Sequence, residues 1–283
     1  MSDSLNRSAV PSFLPLSKKP IGLPTRGKTA PNRLRRTDVF LAICYGGLVR
    51  HLSGWYVDLG FGENPATTIE TYARLGRLNP DIQLLGVEID PERVAAAIPH
   101  KTPRMEFRLG GFNLPLRKGE CAAFIRAMNV LRQYPESEHA SAITRLASHL
   151  ERDGIILEGT SNPPGSLMTF NVYQREEDNA AHKGVVFSVS FRGDFSPRDL
   201  QTVLPKNCIH HAEPGSPLDR FFESWERNWL RARTEAESDP KLRFSLAARR
   251  LSEQDGYAVD LRPTLLRRGF LRLHELPADW FQE

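Results

Sequence analysis

The chain has 283 residues, 40% of them hydrophobic and 25% charged, which suits one large α/β domain or one domain with an appendage. No run of about eighteen apolar residues exists, which excludes a membrane-spanning helix. Cys44, Cys121 and Cys208 are odd in number, far apart and without CxxC spacing; they exclude a disulfide framework and a zinc knuckle, predict no metal, and fit a reducing cytoplasm.

The formal net charge of +4 hides an asymmetry. Residues 1–37 hold eight bases (Arg7, Lys18, Lys19, Arg26, Lys28, Arg33, Arg35, Arg36) against one acid, Asp3, a local +7 that leaves the rest of the chain at −3. Pro11, Pro15, Pro20, Pro24 and Pro31 interrupt the same stretch, and it has little aliphatic surface to bury. The composition predicts an unfolded leader over 1–36 and a folded domain over 37–283. The leader has no apolar core of the kind a secretory signal needs. It reads as a solvated tail or as an arm for RNA or another polyanion.

From residue 37 the pattern becomes strand, turn, helix, repeated. Trp55–Leu59 is a β-prone apolar run that ends in Gly60-Phe61-Gly62. Asn64 and Pro65 then start a helix, by side-chain capping and a preset backbone angle. Ile69, Tyr72 and Leu75 recur on one face of it before Asn79-Pro80 stops it. The second strand spans 82–89, and Asp90-Pro91 opens the next helix by the same logic. Strands three and four are read at Met105–Leu109 and Ala122–Met128. A helix over Ser137–Leu150 follows, then Asp153-Gly154 turns into the strand Ile155–Leu157. Apolar strands alternating with helices imply right-handed βαβ units and a parallel sheet covered on both faces.

Beyond residue 160 the pattern is less regular. Val185, Phe187, Val189 and Phe191 alternate as in a half-buried strand, and Phe270–Leu276 reads as a final one. Leu218, Phe221, Phe222, Trp225 and Trp229 form a helical stripe, read as core packing. Asn162-Pro163-Pro164-Gly165 reads as a turn. His210-His211 has no partner at metal spacing.

In an open parallel sheet, ligands bind beyond the carboxyl ends of the strands, where the strand order reverses. The glycines at 60 and 62 allow a tight turn and close ligand approach. The dinucleotide pattern G-x-G-x-x-G would need a third glycine where Pro65 stands, so a pyrophosphate site is absent and a nicotinamide-dependent dehydrogenase is disfavoured. An acid before the glycines, Asp58, suits a ligand with an ammonium and no phosphates, as S-adenosylmethionine (SAM) has. Glu88, ending the second strand, is placed to accept both ribose hydroxyls. Asp90 is better explained as a helix cap.

Residues 55–160 resemble the core of the class I SAM-dependent methyltransferases. The resemblance is carried by Asp58-Leu59-Gly60-Phe61-Gly62, Gly86-Val87-Glu88-Ile89-Asp90, Gly110-Gly111-Phe112-Asn113-Leu114-Pro115, Ile125–Leu131 and Asp153-Gly154. It implies an α/β fold with a doubly wound, mostly parallel, seven-stranded sheet whose last strand is antiparallel. By position, Asp58, Gly60, Phe61, Gly62 and Asn64 would hold the methionine end, and Glu88 with Ile89 the ribose. Gly111 and Phe112 would flank adenine, and Asn129 would sit beside the sulfur. Many members of the family carry an aspartate where Gly111 stands, so adenine recognition here is expected from backbone or from elsewhere. Asn64 replaces a further glycine.

Methyl transfer is an in-line displacement for which the cofactor brings its own leaving group, so the protein mainly positions and desolvates. No catalytic residue is therefore assigned; Asn129, Arg126 and Tyr134 are the acceptor-side candidates. The functional reading is a SAM-dependent methyltransferase of a small molecule or RNA. The alternatives are a non-catalytic SAM-binding regulator, or an RNA methyltransferase that uses the basic arm. Within that arm Arg26–Arg36 stands apart, because it runs directly into the first helix within reach of the cofactor end of the sheet.

Overall fold

The computed structural model describes residues 19–177, 179–276 and 280. Its chain order is α1 (Arg35–Cys44), α2 (Gly46–Arg50), β1 (Trp55–Leu59), α3 (Ala66–Leu75), β2 (Leu84–Glu88), α4 (Pro91–Ala97), β3 (Met105–Leu109) and β4 (Ala122–Met128). Then come α5 (His139–Ala147), β5 (Leu150–Ser161), β6 (Leu167–Glu176), β7 (Asn179–Val189), α6 (Lys206–Ile209), α7 (Pro217–Ala232), α8 (Pro240–Glu253), α9 (Pro263–Leu266) and β8 (Phe270–Leu273).

One sheet of eight strands runs β3-β2-β1-β4-β5-β6-β7-β8. The first five strands pair in parallel. The order reverses between β1 and β4, so the crevice outside their carboxyl ends is the natural ligand position. Helices α1, α3 and α4 share a core with one face of this half, and α5 packs on the other. The chain thus has an α/β, doubly wound sheet, parallel over its first five strands and antiparallel beyond.

The sheet departs from seven strands because β6 joins it. β5 is 12 residues long and returns directly through Asn162–Ser166 into antiparallel β6, with no crossover helix. Asn162 closes that turn: its Oδ1 accepts from Leu167 N at 3.1 Å and its Nδ2 donates to Ser166 Oγ at 2.9 Å. Asn-Pro-Pro-Gly is therefore a hairpin turn. β7 and β8 extend the antiparallel meander. The aromatic stripe of α7 is buried against β7 and α8, with the Phe187 and Phe221 rings stacked at 5.2 Å.

Proline-led helix starts recur. Asp90, Ser216 and Asp239 each accept backbone N–H bonds as caps ahead of Pro91, Pro217 and Pro240. Asp90 is thus a cap, as its sequence context implies. Boundaries shift elsewhere. The helix read over Ser137–Leu150 is a 3-10 turn at Glu136–Glu138 followed by α5, and β5 begins at Leu150 instead of Ile155.

The unfolded leader expected over 1–36 is corrected for its second part; residues 1–18 lie outside the described residues. From Lys19 the chain runs extended along the carboxyl edge of the sheet and enters α1. Composition misjudged this stretch because main-chain groups attach it, and those groups are the same whatever the side chains. Arg33 and Arg36, counted as solvated charge, are tied to the protein instead. Arg33 Nε donates to Ser161 Oγ at 3.1 Å, and Arg36 Nη2 donates to Gly269 O at 3.0 Å.

Candidate cofactor site

The carboxyl ends of β1 to β4 converge on one small cavity, lined by Leu59, Gly60, Glu88, Ile89, Gly110, Gly111, Phe112, Val130 and Tyr134. A second wall comes from the N-terminal segment: Ile21, Gly22, Leu23 and Thr25. Only about 20 Å³ remains free inside.

Glu88 is fully buried because β2 ends beneath the Gly60–Gly62 turn. Its Oε2 accepts from Gly62 N at 2.9 Å and its Oε1 from Ile89 N at 2.8 Å, with Arg93 Nη1 3.8 Å away. Asp90 N adds a third amide at 3.3 Å from Oε1, and together these contacts fix the carboxylate. Three accepted amide bonds still leave a lone pair for a ligand. Gly60 (φ 72°) and Gly62 (φ 88°) adopt the left-handed backbone that the turn requires.

Of the ten residues that the sequence points to, Gly60, Glu88, Ile89, Gly111 and Phe112 line this cavity. Asp58, Phe61, Gly62, Asn64 and Asn129 do not, and each has a structural reason. Phe61 is buried edge-on to Phe107, with ring centroids 5.5 Å apart. Gly62 serves Glu88 through its amide. Asn64 Oδ1 accepts from Ala66 N at 3.1 Å at the start of α3. Asn129, at φ 62°, exchanges two hydrogen bonds with Ser161, at 3.0 and 2.9 Å.

Asp58 lies away from the cavity lining and has partners of its own. It is buried, with Oδ1 2.9 Å from Arg126 Nε and Oδ2 2.8 Å from Arg126 Nη2 and 2.7 Å from Thr68 Oγ1. The register sets Asp58 of β1 opposite Arg126 of β4, and the arginine neutralises the carboxylate inside the protein. Arg126 is itself fully buried and also reaches Asp38 Oδ1 at 2.8 Å. Burial alone would push its proton off, but Asp58 and Asp38 hold the guanidinium above its ordinary value. Burial pushes the Asp38 carboxyl up, against the pull of Arg126 and Arg74. Arg126, an acceptor-side candidate in the sequence, is therefore a structural counter-ion. Tyr134 does face the cavity, with its ring edge-on to Phe112 at 5.3 Å.

The residues that sequence reasoning missed are those of the N-terminal segment. Their one visible signal is the direct run of Arg26–Arg36 into α1.

Among the described residues no group of three or more potential metal ligands forms, and His211 instead meets Glu136 Oε1 at 2.8 Å. Among them, too, no helix is long and apolar enough to cross a membrane.

No family model matches the sequence, and no curated protein matches it. Solved structures to which the chain is similar include the citrinin polyketide synthase CMeT domain, at 21% identity over 47% of this chain and 36% of that one, with a TM-score of 0.37. The plantazolicin methyltransferase BpumL, solved with a desmethyl-plantazolicin analogue and S-adenosylhomocysteine (SAH), is 14% identical over 46% and 48%, with a TM-score of 0.36. The [4+2]-cyclase SpnF is 22% identical over 44% of each chain, with a TM-score of 0.32. The chain spans less than half the length of each of these structures. At such values the reading of the site rests on its own geometry.

Proposed function

We propose that the protein is a SAM-dependent methyltransferase whose nucleoside site is the cavity between Glu88, Ile89 and Gly110–Phe112. The supporting observation is the placement of Glu88: a buried carboxyl group, held by three amides, opens onto a cavity at the β1/β4 switch point. Glu88 accepts the ribose hydroxyls, while Ile89 and Phe112 flank the base. Gly60 supplies backbone toward the methionine end, where Asp58 is already committed to Arg126. SAM, when bound, supplies an activated methyl group on a sulfonium. The protein's residues position it and exclude water.

The acceptor class remains a small molecule or RNA in this reading. Arg33 and Arg36 spend their guanidiniums inside the protein, which favours a small molecule. A binding protein without turnover is the second reading, favoured by the little space the cavity leaves.

Calorimetric titration with SAH tests the cofactor assignment. Glu88→Gln keeps an acceptor for Gly62 N and should weaken SAH binding by about 1–3 kcal/mol, as lost charge-assisted hydrogen bonds do. No saturable binding of SAM or SAH would reject the reading. Methyl transfer from labelled SAM into metabolite or RNA pools separates an enzyme from a binder.

A further inference from the structure

We infer that Lys19–Gly27 is an autoinhibitory strap that competes with the nucleoside for its own groove, so that SAM enters only when the strap leaves. The inference rests on the cofactor reading above.

The strap is laid down by main-chain contacts along the whole groove. Phe112 N–H donates to Ile21 O at 2.8 Å. Asn113 brackets the same residue, its Oδ1 accepting from Ile21 N at 2.7 Å and its Nδ2 donating to Lys19 O at 3.0 Å. Leu23 N donates to Tyr134 Oη, and Gln133 Nε2 donates to Leu23 O at 3.0 Å. Arg93 Nη2 donates to Thr25 O at 3.1 Å, and Glu63 N to Gly27 O at 2.9 Å.

Three features mark this as occupation of a ligand site instead of ordinary packing. The first is space. Ligand pockets run to about 300–1,000 Å³, and the 20 Å³ left here admits no nucleoside. The second is the Phe112 amide. Gly111 and Phe112 are expected to flank the base, and Ile21 O has taken the backbone donor there. The third is Gly111 itself. A Cβ built there would lie 2.0 Å from Ile21 O, so any side chain at 111 would collide with the strap.

The strap is also built to leave. Ile21 is 41% exposed and Leu23 53%, so their side chains gain little from the docked position. Gly27 adopts φ 75°, and a Cβ there would meet Arg93 Nη2 at 2.7 Å and Glu63 Cγ at 2.8 Å. Gly27→Val therefore strains the strap chiefly through its positive φ, at a residue that does not itself line the cavity.

The experiment uses the full chain. SAH affinity is measured for wild type and Gly27→Val, and tryptic cleavage after Arg26 is followed in wild type with and without SAH. An apparent affinity is reduced by the fraction of molecules that are competent to bind, so Gly27→Val should bind SAH about ten- to a hundredfold more tightly. SAH should speed cleavage after Arg26. If SAH protects Arg26 and the variant binds no more tightly, the segment closes over the ligand and the competition is overturned. If neither protein binds SAH, the cofactor reading fails and takes the inference with it.

Discussion

The two halves of the sheet bury polarity in different ways. The parallel half holds a cluster of fixed charges: Arg126 between Asp58 and Asp38, with Arg74 Nη1 2.9 Å from the other oxygen of Asp38. A hydrogen-bonded chain runs from α5 and β5, at the border of the parallel half, into the antiparallel strands β6 and β7 and ends on an imidazole. His139 Nε2 lies 3.1 Å from Glu158 Oε2, Asn171 Nδ2 donates to the same oxygen at 2.9 Å, and His182 Nε2 lies 3.0 Å from Asn171 Oδ1. A guanidinium does not lose its proton at any ordinary pH, whereas imidazole sits near the middle of the range. Parallel strands bring side chains from adjacent strand ends together under the ligand crevice, so charge placed there also rigidifies the site. The meander, farther from the crevice, tolerates groups that respond to acid.

The largest effect that would break this contrast is Arg126→Met. It leaves Asp58 without its counter-ion and Asp38 with Arg74 alone, and should cost about 3–5 kcal/mol, the usual penalty for breaking a buried pair from one side. Urea unfolding measures it. Adding Asp58→Asn and Asp38→Asn should recover much of the loss; no recovery would mean that shape, not charge, carries the cluster.

The second effect belongs to the other half. Burial, with His139 nearby, pushes His182 down to about 4 from 6.5. Between those values the unfolded chain binds more protons than the folded one, so stability falls as pH drops from 6.5 towards 4. The loss approaches roughly 3 kcal/mol once the pH falls below both values. His182→Gln should flatten that limb of the stability profile, and an unchanged slope would place the acid sensitivity elsewhere.

The smallest expected effect is at the edge of the site. Asp90→Ala removes the cap of α4 and should cost about 1 kcal/mol with SAH affinity unchanged. If affinity falls and stability holds, Asp90 and not Glu88 is the ligand group.

The same division governs what could be read from sequence. Each parallel strand is punctuated by its own turn and a capped helix, so Gly60-Phe61-Gly62, Glu88 and Asp90-Pro91 were legible at their true positions. β6 was not, because Leu167–Glu176 mixes Asn171, Tyr173 and Gln174 into a strand that is buried through pairing with both neighbours. Asp58 has the residue type expected at a ligand site. Only the register reveals that Arg126 stands opposite and consumes it. The strap escaped because its charge and prolines describe its side chains, while its attachment is main-chain.

The start of α1 has a consequence for how the protein is made. Arg36 donates to the carbonyls of Arg268 and Gly269, its guanidinium lies 4.4 Å from the Phe270 ring centroid, and one of these contacts spans 233 residues. At about 5–20 residues per second on the ribosome, that separation is roughly 12 to 47 seconds of synthesis. Until β8 has emerged, Arg36 lacks these partners, whereas Asp38 in the same turn finds Arg74 and Arg126 much earlier in synthesis. The nascent chain therefore seats α1 on the parallel strands first and fastens Arg36 last.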